Sequence, residues 1–164
     1  TQLGSLNTTQ LTALSTTNLA AMTSSQFSGF TSAQVGGLTN TQQAALNTTV
    51  IASMTTTQLS GLASGDIAAL TTTQINALTT TLIANLTSTQ LDGLSVTLAA
   101  ALSTQNFGAL TSTQIGSLTA TQISGFSTTA MGGITTSQFS GITATQIAGL
   151  STSTINAFST TILK

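Results

Sequence analysis

Charge is almost missing from this sequence. Asp66, Asp92 and Lys164 are the only ionic side chains in 164 residues, whereas a typical soluble domain is about a quarter charged. Contact with water therefore rests on Thr, Ser, Gln and Asn. Without a basic surface nothing can neutralise phosphates, which argues against nucleic-acid binding. Cys and His are also absent, so no disulfide framework or thiol chemistry is available. The many Ser and Thr have no base beside them to make a nucleophile, and Lys164 sits at the very end. No apolar run approaches the roughly 20 residues that span a bilayer; the densest, Leu98–Leu102, is far shorter. The opening TQLGSLNTTQ has neither a basic nor an apolar leader segment, so no signal peptide is expected there. The apolar content of 40% is too high for a disordered chain.

What fills the sequence is one phrase, repeated. Residues 111–126 read TSTQIGSLTATQISGF, and from Asn7 to Phe158 the chain divides into 19 octads without insertion or deletion. Residues 1–6 and 159–164 are partial octads in the same phase, so 1–164 is a single array and is expected to be a piece of something longer. Position eight is a large apolar residue in all 19, and position five in 17, with Gln43 and Ala99 as exceptions. Position one is Thr, Ser or Asn in 18, and position four is Gln in 11. Positions six and seven are nearly all Gly, Ala, Ser or Asn.

The apolar spacing alternates three and five. In a strand, where faces alternate with period two, both columns could not share a face without a bend in every repeat. In one long helix a mean spacing of four would drift around the rod. Capping chemistry resolves this. With Thr111 as N-cap, Gln114 falls at N3, completing the S/T-x-x-E/Q capping box, while Leu110 and Ile115 become the two ends of a hydrophobic staple. The predicted fold is an all-α solenoid of very short capped helices, one per octad, with a β-solenoid or cross-β array as the alternative.

One octad cannot stand alone. Burying two large apolar side chains contributes about 3–6 kcal/mol, and ordering eight residues of backbone costs about 8–16 kcal/mol. Neighbours must share a core, which is solenoid logic, and small residues at positions six and seven allow close backbone approach. A weaker period of sixteen overlies the octads. Position four is never apolar in the odd octads but is apolar at Val50, Leu82, Leu98, Ala130 and Ile162. This suggests two octads per turn, with those five residues as a lateral assembly stripe; drift at tolerant positions is the alternative.

The remaining residues offer little chemistry. Asp66 replaces the capping-box Gln near a helix N-terminus, where negative charge is favourable, and Ca²⁺ would want more oxygens than one or two Asp provide. The three Met and six Phe lie in apolar columns and read as core. Asn-x-Ser/Thr triplets occur at Asn7, Asn47 and Asn85. No catalytic, cofactor-binding or metal-binding residue is assigned, and no enzyme activity is expected.

The phrase LTSTQIGSLTATQISGF resembles the L-T-T-x-Q-[IVL]-x-A-L octapeptide arrays of very large secreted or surface, adhesin-like proteins of proteobacteria. The resemblance runs along the whole chain, with more Gly and Ser at positions six and seven. It implies an extracellular or cell-surface repeat region. The haem-utilisation label attached to some of these proteins finds no axial ligand here, since His, Tyr and Cys are all missing. The leading expectation is a structural protein that associates with itself into a fibre, sheath, matrix or adhesin stalk, with cell-surface or matrix contacts. Uncapped ends and low charge favour association. The alternative is a binding module. Thr-x-Thr pairs such as Thr39/Thr41, Thr87/Thr89 and Thr111/Thr113 would share a face in a strand, resembling the ice-binding face of insect antifreeze β-solenoids. That reading depends on β-structure.

Overall fold

The computed structural model describes residues 2–159 and 162–163; Lys164 lies outside the described residues. After a 3-10 turn at Gln2–Ser5 come nineteen α-helices, α1 (Thr8–Thr12) through α19 (Thr152–Ala157), one per octad and four to six residues long. There is no strand among the described residues, so the β-solenoid and cross-β alternatives fail. The flat Thr-x-Thr face that ice binding required is not formed.

The local logic is that of the capping box. Each α-helix begins one residue after position one, whose backbone is extended, as at Thr111 with φ −77° and ψ 161°. The backbone N–H of Gln114 donates to Thr111 Oγ1 at 3.1 Å, and the N–H of Thr111 donates to Gln114 Oε1 at 2.8 Å. All eleven octads with Gln at position four form this reciprocal pair. Where Gln is missing, a Ser, Thr or Asn cap still accepts the N3 N–H. Ala63 has no such side chain, and only the return bond survives, its N–H donating to the Asp66 carboxylate at 2.7 Å.

The chain turns a corner at every cap and returns above itself after 28 residues, three and a half octads. The half-octad offset staggers the helices like bricks. For example, α5 (Asn40–Ala45) packs on α2 (Thr16–Ala20), while Gln42 at its start reaches the carbonyls that end α1. Two octads per turn, the expectation from position four, is therefore incorrect. From Gln34 onward position four faces the turn below, so Gln and apolar residues there share one buried environment. Val50, Leu82, Leu98 and Ala130 are 0, 2, 3 and 1% exposed inside a single chain. They are core, not a lateral stripe. Ile162, in the last partial octad, is half-buried against that core.

Positions five and eight fill the interior from both sides, with Phe107 and Phe126 meeting edge to face at 4.9 Å between ring centroids. The accessible surface of 7615 Å² is close to the ~7,500 Å² of a compact globular chain of this mass. Stacking thus supplies the burial that no single octad can reach. The chain makes about six turns, which at helix spacings of about 8–10 Å gives a body on the order of 50–60 Å long.

Candidate functional site: the inter-turn glutamine ladder

Helices this short leave the carbonyls of their last turn short of intrahelical partners. The glutamine at position four answers that deficit. Its Oε1 is committed to the cap, which aims Nε2 at the turn below. Gln90 Nε2 donates to Leu59 O at 2.7 Å and Leu62 O at 2.8 Å; Gln114 repeats this with Ile83 O and Leu86 O at 2.9 and 2.7 Å. An amide has two N–H donors and two acceptor lone pairs, so one side chain satisfies a cap donor and two carbonyls. Nine glutamines, from Gln34 to Gln146, make this inter-turn contact.

Three departures show how the ladder is maintained. Val50 cannot donate, but its octad is capped by Asn47, whose Nδ2 donates at 2.9 Å to both Ala20 O and Met22 O. The glycosylation-type triplet at Asn47 is thus used structurally. Asn106 is one methylene shorter than Gln. It keeps weak inter-turn bonds at 3.2–3.4 Å but loses the capping box, and Asn76 Oδ1 from the turn below accepts the Ser103 N–H at 2.8 Å instead. The second arm of Gln escaped sequence reasoning. The signal for it was an Asn cap coinciding with an apolar position four.

The third departure is a defect. The Asp66 carboxylate has no N–H for the carbonyls of Val35 and Leu38, which the 31- and 28-residue offsets would place below it. Gln43, buried at position five, donates weakly to Leu38 O at 3.4 Å, and its Oε1 is the one buried side-chain polar atom without a partner among the described residues. Removing an orphaned buried acceptor for an apolar group of similar size gains about 1–2 kcal/mol. Gln43→Leu should therefore raise the melting temperature by about 2–8 °C, at about 2–4 °C per kcal/mol. Adding Asp66→Gln should give more than the sum of the two changes, because both act on Leu38 O. Thermal melts followed by circular dichroism check both; a Gln43→Leu protein that melts lower would refute the assignment of the defect.

Among the described residues no three His, Cys, Asp or Glu side chains gather into one group, and no helix is long and apolar enough to cross a membrane. Asp66 and Asp92 sit in different surroundings: Asp66 is buried at a helix start, and Asp92 is exposed at the C-cap of α11 (Ser88–Leu91). The molecule is a helical tandem-repeat solenoid whose side-chain hydrogen bonding is concentrated at the caps and between successive turns. Residues 3–40 match the model of the ALTTAQ repeat, and the octads beyond continue in the same phase. Comparison with curated proteins and with solved structures gave no match.

Proposed function

We propose that this chain is a structural element of the cell surface or extracellular space, which associates with itself to build a fibre, sheath, matrix or adhesin stalk. The observation that supports this reading most is the continuity of the core and ladder from turn to turn. The sides of the solenoid present Thr, Ser and small residues, and the chemistry of the chain is spent on stacking. Each turn adds about 8–10 Å of length, so the array extends by repetition of the octad. With a net charge of −1 there is little repulsion to keep copies apart. The resemblance to secreted adhesin-like arrays supports the location.

Sedimentation velocity and negative-stain microscopy of the same sample test this. Assemblies should grow with protein concentration and appear as filaments or bundles. A single monomeric species throughout the micromolar to millimolar range would defeat the reading.

A further inference from the structure

Two departures from the repeat, far apart in the chain, meet at one carbonyl. Gln43 is the only polar residue at position five of the full octads, and Asp66 the only acid at position four. The 28-residue offset that sets Gln58 over Phe30 and Gln74 over Leu46 sets Asp66 over Leu38. The Gln43 amide lies 3.4 Å from that same Leu38 O. In the interior glutamines one side-chain atom caps the helix and the other faces the turn below. In Asp66 the capping atom is Oδ2, which accepts the Ala63 N–H at 2.7 Å, so Oδ1 is turned to the carbonyls of Val35 and Leu38. Gln43 is only 2% exposed, and its Oε1 has no partner among the described residues. Half a turn about its last side-chain bond exchanges the amide oxygen and nitrogen, which brings Oε1 beside Leu38 O. At an intact rung an N–H donor lies among these oxygens; here oxygens alone converge.

Asp66 is 9% exposed, and no Lys, Arg or His stands among the described residues to balance it. A buried carboxylate needs a counter-charge. We propose that Asp66 Oδ1, the carbonyls of Val35 and Leu38, and Gln43 Oε1 hold one monovalent metal cation of the sodium class between the two turns. Carbonyl oxygens can replace the hydration shell of such an ion, as they do in cation-selective filters. Calcium takes six to eight oxygens, more than converge here, and would leave an excess of buried positive charge; a monovalent ion cancels Asp66 alone. Gly65, next to Asp66, is exposed, and nothing lies within 4 Å of where a methyl group on it would sit. That opening gives the ion a route from solvent. Gln58 and Gln74 keep complete rungs in the octads on either side, so the fold itself holds the two turns at the spacing of the site.

Thermal melts of the full chain at constant ionic strength test this, with choline chloride exchanged for sodium chloride at about 0.15 M. Sodium should raise the folding constant about tenfold, a melting shift of about 3–6 °C. Asp66→Gln restores the donor and removes the charge, so it should fold and melt alike in both salts. Gln43→Leu removes one oxygen and should cut the sodium response by at least about threefold. The stability gains expected above for these two changes belong to the choline buffer. Asp92→Asn, at an exposed acid, should respond to sodium as the parent does. Sodium NMR reads occupancy directly: the parent should broaden the line and Asp66→Gln should not. No sodium response in the parent, or one that survives in Asp66→Gln, would overturn the site. Millimolar calcium acting through Asp66 and Gln43 where sodium does not would overturn the monovalent assignment.

Discussion

Replacing Gln90 with glutamate in the middle of the array should destabilise the protein by on the order of 3–5 kcal/mol, the cost of leaving a buried charge without a partner. The shape and the capping acceptor are kept, so Thr87 N–H still has an oxygen to reach. What changes is the atom now held 2.7–2.8 Å from the carbonyls of Leu59 and Leu62. A donor becomes a carboxylate oxygen facing two carbonyl oxygens in a site only 4% exposed. Two hydrogen bonds worth about 1 kcal/mol each are lost, and desolvation and repulsion add the rest. Gln26→Glu is the control. It has the same octad position and cap but is exposed with no turn beneath, and a negative charge near a helix start is mildly favourable. Its stability should stay within about 0.5 kcal/mol of the parent, as surface changes usually do.

The sign of the pH dependence follows. Burial opposite carbonyl oxygens raises the carboxyl introduced by Gln90→Glu above its ordinary value of about 4.3. The folded state then holds the proton over a window where the unfolded state has released it, so stability falls as pH rises through that window. Below about pH 4 the protonated acid can donate to one carbonyl, and most of the deficit should vanish. Urea melts at about pH 3.5 and about pH 7, on either side of that window, measure this. A deficit equal at both pH values would mean that position 90 acts through packing alone and that the ladder contributes little.

How much of this was legible in the sequence depends on range. The cap, the box and the staple act within five residues, and their phase is printed in every Thr-x-x-Gln. Thr111, Gln114, Leu110 and Ile115 could be assigned roles from spacing alone, and the structure bears those roles out. The pitch is different. It is set by the corner angle at each cap, where φ varies only from −87° at Thr23 to −62° at Ser103, and small differences accumulate around a turn. No residue type marks that angle, so the alternation of Gln with Val50, Leu82 and Leu98 suggested a sixteen-residue turn that does not exist. The alternation marks two ways of occupying one buried position: donating to the turn below, or packing against it. Asn47, standing where Val50 cannot donate, carried part of the missing information, since its amide can cap through Oδ1 and still donate to carbonyls outside its own octad.

Backbone contact between turns sets the second large expectation. Gly93→Ala should cost at least about 2–3 kcal/mol, near the top of the range for overpacking. No glycine among the described residues has positive φ, so conformational freedom is not why Gly is there. A methyl group at Gly93 would fall inside the van der Waals contact of the Ser64 carbonyl oxygen and 2.8 Å from its carbonyl carbon, and that obstacle is backbone, not a side chain that can swing away. Gly61 over Ser32 and Gly141 over Ser112 repeat the arrangement. Where the space above a glycine is open, the same substitution should go the other way. At Gly65 and Gly108 nothing lies within 4 Å of where an alanine methyl would sit, and Gly→Ala there should stabilise by about 0.4–1 kcal/mol by restricting the unfolded chain. Because each turn contacts only its neighbours, a wedge near residue 93 should also divide the array. Hydrogen exchange in Gly93→Ala should lose protection first in the turns around residues 64–94, and urea unfolding should broaden. If Gly93→Ala and Gly108→Ala both stabilise, the turns are not in backbone contact, and the close stacking that supports the ladder would have to be abandoned.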